Sequence, residues 1–227
     1  VDGETLLLKN INILINEFKV DEIHIVVGHF SEKIISYVNN LKLKVKISFT
    51  LQNDINGIAN ALYLLKDHLK NKKFVVILAD EYYHQPNHKE LIYKISQGYS
   101  SILTFIKEPN LNIVKKNFTG IFKKENVEQL VEKPKDPQSN FMGVGTYFFD
   151  NKVFEYIEKT NKSKLRNEKE ITDVISNMSK ELNVGYQIID CKYFNITNRS
   201  DLIRANYVIR SMNFNQKKLS FVIPAYN

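Results

Sequence analysis

The sequence predicts an α/β domain built on a mixed, mostly parallel sheet flanked by helices. Two observations carry that reading. Along the first half of the chain, segments with apolar residues at helical spacing alternate with short β-rich runs, in the order helix then strand, four times over. One of these runs, 74–79 (FVVILA), is apolar throughout, as strands covered on both faces are.

Each element has its own signal. Leu7, Ile11, Leu14, Ile15 and Phe18 predict a helix over 6–18, and EIHIVVG over 22–28 reads as a strand closed by glycine. Ser31 is expected to cap a helix that carries Ile34, Ile35 and Val38. The stretch 44–49 alternates as a half-buried strand, with Val45, Ile47 and Phe49 on one face. A helix over 58–68, the strand 74–79, a helix over 88–97 and the strand 101–106 complete the alternation. The character then changes: 118–122 and 127–131 are two β runs joined by Lys123-Lys124-Glu125-Asn126, an inserted hairpin. A strand over 143–149, helices over 151–158 and 171–182, strands over 186–190 and 193–196 and a helix over 201–210 follow, with no internal repeat.

Composition narrows the class. A chain of 227 residues with 43% hydrophobic and 25% charged residues can bury a sizeable core. It holds no run of eighteen apolar residues and no apolar stretch after a basic start, so neither a membrane span nor a secretory signal is expected. The single cysteine, Cys191, forms no intramolecular disulfide and fits a reducing compartment, read as the cytoplasm. The net charge of +7 comes from scattered lysine pairs, which suits solvated faces or an anionic small substrate better than nucleic acid. The twelve tyrosines and fourteen phenylalanines fall mostly at core periodicity and offer no stacking platform.

Four stretches carry chemistry. KFVVILADEYYH runs a buried-looking strand into Asp80 and Glu81, and ligands in α/β sheets gather where strands end. Two adjacent acids there need a cation or hydrogen-bond donors to offset them, and a carboxylate suits Mg²⁺. Asp80 could equally cap the next turn. QNDINGIANAL enters a helix at Gly57, where a ligand could approach backbone N–H groups, and Gln52 offers a paired donor and acceptor; Asn-Gly is also a common turn. VEKPKDP sets Glu132 and Lys133 at the end of a hairpin strand, stiffened by two prolines, or is simply a charged turn. Gly143 and Gly145 suggest a backbone packed close to a ligand or another strand.

In this order, the elements resemble a sugar-1-phosphate nucleotidylyltransferase domain over about 1–206. The motifs are VDGETLLLKNINILINEFKVDEIHIVVGH, QNDINGIANAL, VVILADEYY, VEKP, GVGTYFF, EKEITDVI and YFNITNRSDLIRAN. The resemblance implies a Rossmann-like fold with the hairpin near the substrate pocket, and transfer of a nucleotidyl group from an NTP to a sugar 1-phosphate or similar phosphorylated alcohol. It implies that Gln52 and Gly57 contact the base, and that Gly120, Glu132, Gly145, Tyr147 and Glu168 line the sugar pocket. Lys133 would neutralise the sugar's phosphate, and Asp80 and position 195 would hold Mg²⁺. The partners implied are small molecules, with a homo-oligomer allowed.

The departures from the family pattern matter as much. The glycine-rich loop that binds the NTP phosphates, and the buried first strand before it, are missing, so the sequence reads as N-terminally truncated and this stretch alone as nearly inactive. Asn195 stands where the family carries a second metal-binding aspartate, and Thr197, Asn198 and Arg199 replace its glycine-threonine-proline. A catalytically silent regulatory or scaffold domain, or a phosphocholine-type cytidylyltransferase, therefore remains open. The domain is expected to span 1–210, followed by a linker over 211–218. The tail LSFVIPAYN resembles the first strand of an inverting family-2 glycosyltransferase of GT-A fold, with Pro224, Ala225 and Tyr226 opening its site, so 219–227 read as the start of a second domain.

Overall fold

Thr5 starts the first helix as a short hydroxyl side chain should: its Oγ1 accepts from the Leu8 N–H at 3.2 Å. From there the computed structural model describes residues 1–54, 56–163 and 167–214. The elements run α1 (Leu6–Asn16), β1 (Glu22–Val27), α2 (Ser31–Asn40), β2 (Lys46–Leu51), α3 (Gly57–Tyr63), β3 (Lys73–Ile77) and β4 (Glu81–His84). They continue with α4 (Lys89–Ile95), β5 (Ser101–Lys107), α5 (Leu111–Val114), β6 (Phe118–Lys123), β7 (Asn126–Glu132) and β8 (Phe141–Asp150). The last are α6 (Val153–Lys159), α7 (Ile171–Met178), β9 (Val184–Ile188), β10 (Lys192–Asn195) and α8 (Arg199–Phe214).

The fold is the expected mixed α/β architecture with helices against the sheet. A six-stranded sheet has the order β3-β8-β5-β9-β7-β6. Strand β8 is antiparallel to both β3 and β5, and β9 is parallel to β5, so β3, β5 and β9 point the same way. β1 and β2 form a separate parallel pair, and β4 pairs with β10 antiparallel. Alternation along β8 shows why the sheet is covered on both faces. Tyr147 and Phe149 enter the large core with α3, α6 and α7, whereas Phe148 enters the opposite one with Leu91, Tyr99 and Ile102. The hairpin forms as its charged turn suggested, with Lys124 in a left-handed conformation (φ +55°).

The facing edges of β1 and β3 have no strand partner among the described residues. Between them lies a cavity of about 600 Å³, lined along both strands and closed by α1 and the segment around α3. Leu7, Ile11, Leu14, Ile58 and Leu65 make its walls largely apolar.

Several expectations shift. Ser31 does not cap α2: left-handed Phe30 (φ +59°) holds the cap position and makes no side-chain bond there. The expected helix over 58–68 stops at Tyr63 and continues as turns. β4 and α5 were not foreseen, because four-residue elements give periodicity too little length. α8 runs to Phe214, so the first residues of the expected linker 211–218 are helical. The rest of that linker, and 219–227 with Pro224, Ala225 and Tyr226, lie outside the described residues.

One buried group makes stability depend on pH. His88 is fully buried between the rings of Phe18 and Tyr83, with centroids at 5.6 and 4.8 Å, and neither ring nitrogen has a hydrogen-bond partner among the described residues. Burial lowers its pKa from 6.5 to about 4. Between those values the unfolded chain binds the proton and the folded protein does not, so this contribution weakens as pH falls. The stability difference between wild type and His88→Phe, measured by urea unfolding, should shift toward the variant by about 3 kcal/mol from pH 7 to pH 4. A constant difference would show that His88 titrates normally in the fold.

Candidate functional site

The strand that ends on two acids separates them. β3 stops at Ile77, the chain turns through Ala79 and Asp80, and β4 begins at Glu81. Asp80 is exposed, while Glu81 is 4% exposed. Asn10 of α1 fixes the turn from below, its amide donating to the carbonyls of Leu78 at 3.2 Å and Glu81 at 3.1 Å. From the side, the Ile196 N–H donates to the Asp80 carbonyl at 2.8 Å, and Asn195 pairs with Glu81 in the β4–β10 ladder. The chain thus brings Asp80 and exposed Asn195, far apart in sequence, onto adjacent backbones.

Glu81 is satisfied by hydrogen-bond donors. Its Oε2 accepts from the Tyr83 hydroxyl and from the Gly145 N–H at 2.7 Å, and its Oε1 accepts from the Tyr193 hydroxyl at 2.8 Å. Burial raises its pKa from 4.5 to about 7, outweighing the three donors that act the other way.

Gly145 is available to Glu81 because β8 bulges. Against β5 the register jumps from Leu103↔Tyr147 to Thr104↔Val144, leaving Gly145 and Thr146 without a β5 partner. The Gly145 carbonyl still accepts from the Leu78 N–H at 2.9 Å, and a Cβ at Gly145 would lie 2.5 Å from Leu78 side-chain carbons. Two residues on, Tyr147 is buried. Its phenol is pushed well above its ordinary pKa by burial, then by the carboxylates of Glu81, Glu132 and Asp80. The end of the hairpin and the Asp80 turn are therefore electrostatic neighbours of one buried ring.

Lys133 follows β7 in a left-handed conformation (φ +46°), with its N–H on the Asn117 carbonyl at 2.8 Å. Proline at the next position makes that conformation more strained still. Pro134 and Pro137 are buried and hold the loop, while Lys133 is exposed. Strain of this kind costs on the order of 1–3 kcal/mol and persists only where the surroundings enforce it.

The second group gathers at the start of α3. Gly57 has φ +82°, and a Cβ there would stand 2.5 Å from Oε2 of Glu168. Gln52, leaving β2, donates its Nε2–H to the Gly57 carbonyl at 3.5 Å. Gln52 and Gly57, read in one stretch of the sequence, thus meet, and Glu168, read in another, joins them at Gly57. Gly120 is buried in β6, where a Cβ would meet the rings of Phe122 at 2.7 Å and Phe105 at 3.2 Å, so ring packing alone requires glycine there.

For a metal, the donor set is small. Among the described residues no group of three or more His, Cys, Asp or Glu could hold an ion. Exposed Asp80 and Asn195 offer one carboxylate and one amide oxygen on adjacent strands, which fits Mg²⁺, an ion that keeps most of its waters and substrate oxygens. Cys191 is no nucleophile: burial, then Asp190, pushes its thiol up to about 12. The sequence reading missed the Glu81 network. The signal lay in the period-two spacing of Glu81 and Tyr83, but the partners Gly145 and Tyr193 come from strands distant in sequence.

The family model described as nucleotidyl transferase matches residues 1–211. The bifunctional protein GlmU of Methanocaldococcus jannaschii is 33% identical over 196 residues, covering 86% of this chain and 45% of its own length. The low-salt glycan biosynthesis nucleotidyltransferase Agl11 of Haloferax volcanii is 28% identical over 176 residues, covering 77% of this chain and 48% of its own. The chain thus spans about half the length of these curated relatives. Among solved structures, a UDP-glucose pyrophosphorylase complexed with UDP-glucose superposes with a TM-score of 0.79 at 22% identity, covering 93% of this chain and 90% of that one, a likeness of fold. No helix among the described residues is long and apolar enough to cross a membrane.

The contact at α3 is directly testable. Gly57→Ala should cost about 1–2 kcal/mol, from its left-handed backbone and from the displaced Glu168 carboxylate. Glu168→Ala in that background should recover part of the loss, read as non-additivity in a double-mutant cycle of unfolding free energies. Strict additivity would separate the two residues.

Proposed function

The chain belongs to the nucleotidyl transferase family, and we propose that it transfers a nucleotidyl group from an NTP to a sugar 1-phosphate or a similar phosphorylated alcohol. The products are a nucleotide-activated sugar and pyrophosphate. The observation that carries the reading is the placement of exposed Asp80 and exposed Asn195 on adjacent backbones, tied by the Ile196 N–H on the Asp80 carbonyl at 2.8 Å. A carboxylate and an amide oxygen so placed suit an ion that keeps its waters and substrate phosphates.

A phosphate oxygen of the sugar phosphate, already anionic, forms a bond to the α-phosphorus of the NTP. The bond from that phosphorus to the bridging oxygen breaks, and pyrophosphate leaves with the electron pair. No general base is needed, so catalysis is alignment and charge neutralisation. Lys133, pinned by its strained backbone, neutralises the sugar's phosphate. Glu132 accepts from sugar hydroxyls, with the strands of buried Gly120, Gly145 and Tyr147 behind the pocket. Gln52 and Gly57 receive the base, with Glu168 bracing Gly57. Asp80 and Asn195 would hold Mg²⁺, which when bound withdraws charge from phosphate oxygens.

The reading includes a further strand before Val1, carrying a loop for the NTP phosphates. Its support is the cavity of about 600 Å³ between the free edges of β1 and β3, whose apolar walls suit one more buried strand. Residues 219–227, on their resemblance, would open a glycosyltransferase module in the full-length protein. The reading extends to surface polysaccharide synthesis, for which the likeness to a glycan biosynthesis nucleotidyltransferase is support, and to the cytoplasm, for which the single Cys191 is.

In the full-length protein, Asp80→Ala should lower Mg²⁺-dependent pyrophosphate release by about a hundredfold or more. Asn195→Asp should lower the Mg²⁺ concentration needed for half-maximal turnover. Wild type that releases no pyrophosphate with any NTP and sugar 1-phosphate would favour the silent-domain alternative, and turnover with phosphocholine alone would redirect the acceptor. Lys133→Gly should lose turnover comparably while thermal stability holds or rises, since glycine relieves the left-handed strain. A variant that keeps its activity would take Lys133 out of the mechanism.

A further inference from the structure

We infer that Glu81 is the positioning residue that sets the metal-binding turn against the sugar pocket, holding both through separate oxygens of one buried carboxylate. The inference rests on the nucleotidyl-transfer reading and adds a residue that touches neither substrate nor metal in that scheme. Oε2 takes the Gly145 N–H at 2.7 Å. The bulge removes that N–H from the β5 ladder, so without Glu81 it would be a buried orphan in the strand that presents Tyr147. Oε1 takes the Tyr193 hydroxyl at 2.8 Å, and Tyr193 lies on β10 two residues before Asn195. Glu81 itself follows Asp80. A single side chain therefore joins Asp80, the strand of Asn195 and the strand of Gly145 and Tyr147.

Geometry explains why a carboxylate does this. Gly145 N–H can only donate, so the group facing it must accept. Tyr83 also converges on Oε2, and the Thr146 hydroxyl, beside Gly145 in the bulge, donates to Tyr83 at 3.2 Å, so the chain of bonds returns to β8. Phenols can reverse their role; the backbone donor cannot. Glutamine, with its carbonyl toward Gly145 and its amide toward Tyr193, keeps the arrangement, whereas methionine of similar shape breaks both arms.

The arms can be separated in the full-length protein by titrating Mg²⁺ and sugar 1-phosphate against pyrophosphate release. Tyr193→Phe should raise the Mg²⁺ needed for half-maximal turnover about tenfold, as expected for losing one charge-assisted bond, and leave the KM for sugar 1-phosphate within about twofold. Glu81→Met should raise both constants, and Glu81→Gln should bring both to within about threefold of wild type. If Glu81→Met does not fold, Tyr193→Phe decides alone. Variants that lower the melting temperature while leaving both constants at wild-type values would reduce Glu81 to a core hydrogen-bond acceptor and overturn the inference. Wild type without nucleotidyl transfer would instead overturn the reading beneath it, an outcome visible before any variant is made.

Discussion

Everything around the candidate site depends on how one buried carboxylate is satisfied. Glu81 is removed from water and faces no salt-bridge partner among the described residues, so only the three donors that converge on it offset its burial, and they do so in part. Those donors come from β4, β8 and β10, and meeting them fixes the mutual placement of three strands at the end of β3. The β8 bulge is the complement of that arrangement: it strands a backbone N–H, and the carboxylate takes it up. Neither irregularity is stable without the other.

The same economy of local strain recurs at the hairpin. β6 and β7 pair up to Glu132 with one register shift between Ile121 and Phe122, and the chain then enters a left-handed lysine before a buried proline. The Asn117 carbonyl and the two buried prolines hold that conformation, leaving the amine in solvent. Among the described residues the hairpin pairs with β9 at one position, Asn126↔Gly185, so Lys133 rides on an element tied mainly through its packing. Phe105, Phe122 and Tyr186 form that packing, with ring centroids 4.3 to 6.3 Å apart.

Much of the aromatic content packs into the interior, while Phe30, Tyr63, Tyr93 and Tyr207 are exposed. The basic character is likewise distributed: Lys46 and Lys72 pair with Glu22, Lys66 with Glu158 and Lys94 with Glu125. Surface pairs of this kind add little stability.

The alternation of the longer helices and strands, the two-faced sheet, the hairpin and the location of Asp80 just past a strand were legible in the sequence, because periodicity and turn residues are local properties. So was the pairing of Gln52 with Gly57, five residues apart. The four-residue β4 and α5 were not legible. The meeting of Gly57 with Glu168 was not, since it joins the start of α3 to a loop more than a hundred residues later. Nor could the sequence say which of two adjacent acids is buried. That choice depends on where the donors of Gly145, Tyr83 and Tyr193 arrive, and only the register of β8 and the pairing of β4 with β10 decide it. A carboxylate's neighbours in space set its solvation, and its neighbours in sequence do not.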